Sequence, residues 1–182
     1  LMASHSSSWE ICKHPRNMKD DMLKAVATNG GVVCVNFYPG FVGEELRIGN
    51  EKLQNQMWEE IEDLERMAKR SPSGHFDKSQ EYIKQEAKKI RDRYEIVRKD
   101  LALPTLSDVV DHIDHMVKVA GIDHVGLGSD FDGIPEGPVG LEDCTKFPSI
   151  TEELMRRGYA DGDIQKILGL NTMRVMEANI GK

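Results

Sequence analysis

The chain has 182 residues, a net charge of −7 and a sequence pI near 5.4, with 39% hydrophobic and 30% charged residues. That length and balance describe a folded domain of ordinary size, and the acidic charge argues against a nucleic-acid binder working through a basic face. No apolar run approaches the ~20 residues of a membrane-spanning helix, and the three separated cysteines, Cys12, Cys34 and Cys144, make neither a disulfide framework nor a thiolate zinc site.

Leu1-Met2-Ala3-Ser4-His5 lacks the charged and then long apolar regions of a signal peptide. It reads as the end of a buried strand whose beginning lies upstream, with any targeting segment further upstream out of view; a cytoplasmic setting is the expectation. After the polar loop Ser6 to Arg16, Asn17 is placed to cap a helix with Met18, Met22, Leu23 and Val26 on its apolar face and Gly30-Gly31 as its stop. Val32-Val33-Cys34-Val35-Asn36-Phe37 is the continuous run of a strand buried on both faces, broken by Tyr38-Pro39-Gly40.

Residues 44 to 100 change character. They are rich in Glu, Lys, Gln and Arg, with Leu53, Met57, Ile61, Leu64 and Met67 at helical intervals. Ser71-Pro72-Ser73-Gly74 divides them into two helices, the second from about Lys78 to Lys99, and the pattern is too short for a sustained coiled coil. The segment reads as a helical insert.

Pro104, Thr105 and Ser107 start another helix, which runs to Ala120 with Gly121 as its stop and Val109, Val110, Ile113, Met116, Val117 and Ala120 as its apolar face. Its Asp108, Asp111, His112, Asp114 and His115 read as a solvated face, although Asp111 and His115 stand at metal-compatible i, i+4 spacing. Val125 to Leu127 is a third buried strand, closed by Gly128-Ser129-Asp130-Phe131-Asp132-Gly133. A Pro- and Gly-rich loop from Ile134 to Pro148 precedes a Ser149–Glu152 capping box for a helix ending at Gly158, and helices Asp161 to Leu168 and Thr172 to Asn179 close the chain. Alternation of strands and helices at this spacing predicts an α/β fold with a parallel sheet.

Chemistry in parallel α/β folds gathers where strands end. His5 and Asp130 both stand at strand ends, so the two would face one mouth. His5 has the donor atoms of a zinc ligand and a hydroxyl-rich surround to orient it. Arg16, in the loop after His5, has the fork that grips a carboxylate, or else forms a surface ion pair with Asp20. His14 is left unassigned, and His75 and His124 read as structural. The Asp130-Phe131-Asp132-Gly133 loop also fits a Mg²⁺-dependent haloacid-dehalogenase-like phosphatase, with Lys146 and Asp161-Gly162-Asp163 as the further residues it would need. A third alternative is a non-enzymatic interaction module built on the charged helices 44 to 100.

Several blocks in order narrow this choice. Ser4-His5-Ser6-Ser7, Arg16-Asn17, Val35-Asn36-Phe37-Tyr38, Asp111 to His115, Gly128 to Gly133, Gly140-Leu141-Glu142-Asp143 and Asn171 to Val175 together resemble the membrane (renal) dipeptidase family of zinc peptidases. The resemblance covers residues 1 to 43 and 101 to 182 and is least over 44 to 100. It implies an amidohydrolase-like (β/α)₈ TIM barrel that binds two zinc ions and hydrolyses dipeptides by metal-activated hydroxide. By position it makes His5 a metal ligand, Arg16 the grip on the substrate carboxylate, and Asp130 both a substrate-binding and a catalytic residue. The family's His-x-Asp pair, bridging glutamate and other zinc-ligand histidine lie upstream of the strand carrying His5. Residues 1–182 are therefore expected to be the C-terminal part of one barrel domain with a helical insertion, holding roughly its last three strands. Such a portion would be inactive alone and would depend on the N-terminal part of the barrel or on self-association.

Overall fold

The computed structural model describes residues 1–69 and 76–180 of the chain. Two units form: Leu1–Arg47 with Leu103–Lys182, and Ile48–Ala102. The first holds a three-stranded parallel sheet in the order β1 (Met2–Ala3), β2 (Val32–Asn36), β3 (Val125–Ser129), so the α/β expectation is borne out. Its helices are α1 (Asp20–Thr28), the short α2 (Pro39–Val42), α5 (Leu106–Ala120), α6 (Phe147–Arg156), α7 (Asp161–Gln165) and α8 (Asn171–Ile180). The long α3 (Glu44–Lys69) and α4 (Phe76–Arg98) intervene in sequence between α2 and α5.

The centre of the sheet is β2, and every one of its residues is buried. Its alternation sorts the core. Val33, Val35 and Phe37 join Leu23 and Val26 of α1, Val109, Val110, Ile113 and Met116 of α5, and Ile150 and Leu154 of α6 in the main cluster. Val32 and Cys34 face the other way, against Val175 of α8. Asn171 and Arg174 fasten α8 to the amino-terminal ends of the strands. The Asn171 amide donates to the carbonyls of Ile122 and Val125 at 2.7 and 2.8 Å, and the Arg174 guanidinium donates to those of Gly30 and Asp123, both at 2.7 Å.

Within the second unit α3 and α4 run antiparallel. Glu60 accepts from Arg93 and, at 2.7 Å, from the Tyr94 hydroxyl, while the Arg91 guanidinium stands over the Trp58 ring. Ile61 and Ala87 are buried, whereas Trp58, Tyr82, Ile96 and Val97 are exposed. The dividing Ser71 to Gly74 and the adjacent His75 lie outside the described residues. Among the described residues no helix is long and apolar enough to cross a membrane.

Three local expectations are corrected. Asn17 is not a helix cap: α1 begins at Asp20 behind Lys19, which makes no side-chain cap bond. The buried Asn17 amide instead donates to the carbonyls of Cys12 and Phe41, both at 2.8 Å, and accepts from Ser7 N–H, pinning the loop after β1. Ser149 lies inside α6, because the helix starts at Phe147, whose ring packs against Phe37 and Phe131; the capping box forms between Thr105 and Asp108. The polar face of α5 is not simply solvated. Asp111 and Asp114 both accept from Arg157, at 2.5 and 2.6 Å, Asp114 also accepts from the Tyr159 hydroxyl, and His115 pairs with Asp20 at 2.7 Å. Asp111 and His115 are thus spent on separate partners rather than on one metal.

His112 departs furthest from the solvated reading, being fully buried. Its Nδ1 accepts from Ser8 N–H at 2.9 Å and its Nε2–H donates to the Val42 carbonyl at 3.0 Å, which ties α5 to the loop after β1 and to the end of α2. Burial lowers its pKa from the usual 6.5 to about 4, since a charged ring would sit in an apolar core. In the folded state the ring stays neutral over a pH range in which the unfolded ring is protonated. Its contribution to stability is therefore complete above pH 6.5 and is lost as pH falls toward 4. Lowering pH from 7 to 5 should cost roughly 2 kcal/mol through this residue. Chemical denaturation of His112→Gln should show a lower midpoint at pH 7 and a shallower loss between pH 7 and 5; an unaltered pH dependence would count against the assignment.

Candidate active site

The three strands are parallel, so the loops after Ala3, Asn36 and Ser129 leave from the same end of the sheet. These loops carry His5, the Tyr38–Phe41 aromatic turn and Asp130. Close approach of the first and last is permitted by one glycine. A Cβ on Gly128 would stand 2.2 Å from the Ser4 carbonyl oxygen and 3.1 Å from the His5 Cα, so any other residue would push the loop after β1 away from β3.

His5 and Arg16 are in direct contact. The guanidinium Nη2 lies 3.0 Å from His5 Nε2, and because arginine can only donate, Nε2 is the accepting nitrogen. The proton of the neutral ring is then on Nδ1, which lies 2.7 Å from Ser4 Oγ. Both ring nitrogens are thus engaged: a hydroxyl orients Nδ1, and Nε2, the atom whose lone pair a metal would take, accepts from Arg16. Arg16 also lies over the Phe41 ring, 5.6 Å from its centroid, and Phe41 is flanked by His14 and Tyr38. The surface ion pair with Asp20 does not form, since Asp20 is taken by His115. Among the described residues Arg16 has no carboxylate partner.

Asp130 stands on a left-handed turn, with φ of 41° at Ser129 and 80° at Asp130. Non-glycine residues occupy this region at a cost, and Asp is one of the few that tolerate it. The turn sends Phe131 inward, edge-on to Phe37 at 5.6 Å, and leaves the Asp130 carboxylate at the sheet end. Its Oδ2 accepts from the buried Asn36 amide at 3.0 Å. Asp132, two residues on, is exposed, so Asp130 is the carboxylate the turn presents. The sequence places Asn36 in β2 and in one block of the family resemblance without giving it a role; its signals are that block and a polar side chain near the end of an otherwise apolar run.

The neighbouring charges are settled internally. The Arg47 guanidinium and the Lys13 N–H hold the Glu44 carboxyl down to about 2, and burial with the adjacent Arg47 and Arg16 charges lowers the His14 ring. Burial pushes the Cys12 thiol up to about 12, helped by Glu44, and raises Cys34 as well, so neither is poised as a nucleophile. His124, on the opposite end of the sheet, is held to the Gly31 carbonyl at 2.8 Å and is structural. It lines a cavity of about 540 Å³ with Asp123, Lys166, Leu170, Asn171 and Arg174, at the amino-terminal end of the strands and away from Asp130. Lys146 sits in a single 3₁₀ turn and Asp161 and Asp163 in the first turn of α7, none of them following a strand as the phosphatase reading needs.

Comparison with known proteins finds relatives along nearly the whole chain. An uncharacterised dipeptidase of Schizosaccharomyces pombe is 36% identical over 176 residues, which is 96% of this chain and 29% of that protein. The dipeptidase ataJ of Aspergillus terreus is 34% identical over 177 residues, 97% of this chain and 30% of the relative. The chain thus spans about 30% of the length of these curated relatives. The crystal structure of the probable dipeptidase PvdM from Pseudomonas aeruginosa superposes with a TM-score of 0.66 at 26% identity, covering 96% of this chain and 43% of that one. The family model described as membrane dipeptidase, peptidase family M19, matches residues 1–180, and to that family this chain belongs.

Proposed function

We propose that residues 1–182 are the C-terminal portion of a (β/α)₈ barrel in a zinc-dependent dipeptidase, with helices α3 and α4 as an insertion and with His5, Arg16 and Asp130 as its share of the active site. The observation that carries this reading is the convergence of those side chains at the carboxyl end of one parallel sheet, where among the described residues Arg16 has no carboxylate partner and one Asp130 oxygen has no hydrogen bond. The sheet itself supports the barrel. One face is covered by α1, α5 and α6, while the other carries Val32, Cys34, Gly126 and Gly128, with α8 packed against Val32 and Cys34 and only small residues toward the carboxyl end of β3, which suits the narrow interior of a barrel.

The residues suit the parts. Arg16, anchored on the Phe41 face and lacking a carboxylate partner, binds the terminal carboxylate of a dipeptide bidentately. Asp130 takes the proton released as water attacks the scissile carbonyl and returns it to the leaving amine nitrogen. Lewis acidity and an activated water are what a zinc pair supplies when bound. His5 Nε2 fits a metal ion by its donor chemistry, but the number of donors falls short. Among the described residues no three His, Cys, Asp or Glu side chains are arranged to hold one, so the remaining ligands belong to the part of the barrel outside residues 1–182.

Three outcomes test this. In the complete barrel enzyme, Arg16→Ala should raise KM for dipeptides about 10- to 100-fold with little change in kcat, the worth of a charge-assisted bond to one substrate group. Asp130→Asn should lower kcat on the order of 100-fold or more with KM nearly constant. Steady-state kinetics that leave both parameters intact in both variants would remove the site assignment. The isolated 182-residue chain should retain no tightly bound zinc on equilibrium dialysis and show no dipeptidase activity; stoichiometric retention of the metal would mean that its ligands are all here.

A further inference from the structure

We propose that Asn36 is the positioning residue for Asp130 and determines which oxygen of that carboxylate handles the proton. This deepens the dipeptidase reading above and rests on it. The geometry begins in the register of β2 against β3. Val35 pairs with Leu127 but Asn36 pairs with Ser129, so the ladder skips Gly128 at this point. A bulge of this kind re-aims the side chain that follows it. Here it carries the Asn36 side chain level with the residue after Ser129, which is Asp130.

The amide of Asn36 has one orientation open to it. Its Oδ1 accepts the Tyr38 N–H at 2.5 Å, so Nδ2 is turned toward Asp130, whose Oδ2 it meets at 3.0 Å. Reversing the amide would set Oδ1 against a carboxylate oxygen and Nδ2 against an N–H, two repulsive contacts for two lost bonds. The residue is fully buried, and its backbone carbonyl accepts from Ser7 Oγ at 3.3 Å, so strand and loop both hold it in place. Asn36 is therefore a rigid donor rather than an adaptable one.

The consequence falls on Asp130. With Oδ2 occupied, Oδ1 is the oxygen that has no hydrogen-bond partner among the described residues. It lies toward Gly133, where a Cβ would come within 2.7 Å of it, so the absence of a side chain at Gly133 leaves that oxygen its room. One oxygen is clamped from the neighbouring strand and the other presented. A carboxylate that must accept a proton from one atom and pass it to another gains from such a fixed aim. An asparagine serving the fold alone would direct both ends of its amide at backbone; this one directs its donor at the carboxylate proposed to react.

The test is a double-mutant cycle in the complete zinc-loaded enzyme, read by kcat, KM and zinc content. Asn36→Ala should lower kcat on the order of 100-fold, leave KM within about threefold and leave zinc content unchanged. Asn36→Leu keeps the buried volume and should do the same where the alanine variant folds poorly. In an Asp130→Ala background, where no carboxylate remains to be aimed, either substitution should change kcat by less than about twofold. An equal loss in both backgrounds would make Asn36 a fold residue and overturn the proposal, as would an unchanged kcat in the single variants. Failure of the underlying reading is separate, since it shows in Asp130→Ala alone as full activity, and it overturns the proposal with it.

Discussion

The parallel pairing of β2 with a neighbour on each side is the constraint to which the rest of the first unit answers. Parallel neighbours oblige the chain to return to the same end of the sheet before each new strand, so helical connections are forced between β1 and β2 and again between β2 and β3. A central parallel strand is also covered on both faces, which is why Val32 to Phe37 is apolar almost without interruption. The same geometry gathers all three carboxyl ends at one edge. Whatever those ends carry is brought together whether or not the residues are close in sequence, and His5 and Asp130 are 125 positions apart.

Loops at that edge cannot rely on apolar packing, and they are held by buried polar side chains whose partners are fully specified. Asn17 fastens the loop after β1 to the chain at Cys12 and Phe41; His112 joins that loop to α2 and α5; Asn36 joins β2 to the turn after β3. Each spends its capacity mostly on backbone groups, the partners that a loop leaves exposed. Removing one would strand two or more buried groups at about 1–3 kcal/mol each. The opposite edge uses the same device through the buried Asn171, helped by the exposed Arg174, and both serve α8 rather than any chemistry. Buried polar residues here are thus divided between the ends of the sheet, and only those at the carboxyl end reach side chains that can react.

Much of this was legible in the order of residues, because periodicity reports burial. The continuous run of β2, the stripe of α5 and the strand-end positions of His5 and Asp130 follow from it directly. What was illegible came from competition between two uses of one residue. Asn17 has the chemistry of a cap and of a loop staple, and the Oδ1 that a cap would use is taken by the Ser7 N–H while Nδ2 donates to Cys12 and Phe41. Ser149 and Glu152 have cap spacing, but the packing of Phe147 on Phe37 starts the helix two residues earlier. His112 carried a usable signal that its polarity concealed: it stands three residues after Val109 and four before Met116, on the buried stripe itself. The Val35–Asn36 register shift had no sequence signal, since a bulge is set by how two strands meet.

The carboxyl edge combines three features that a protein with no ligand to bind would have little reason to keep. Arg16 is held by an aromatic face and a neutral imidazole although acidic residues outnumber basic ones in the chain, and Asp20 is near enough in sequence to have paired with it. His5 is oriented by Ser4 and turns its other ring nitrogen to Arg16. Asp130 is set on a strained turn with one oxygen clamped and the other open. An arginine without a carboxylate and an aspartate on a strained turn both forgo stability, a cost borne elsewhere in the fold. On the proposed reading two of the three needs belong to one molecule and the third to the metal that acts on it. A dipeptide brings a carboxylate for Arg16 and an amide nitrogen that must gain a proton from Asp130, while the imidazole is left for the metal that polarises the bond between them.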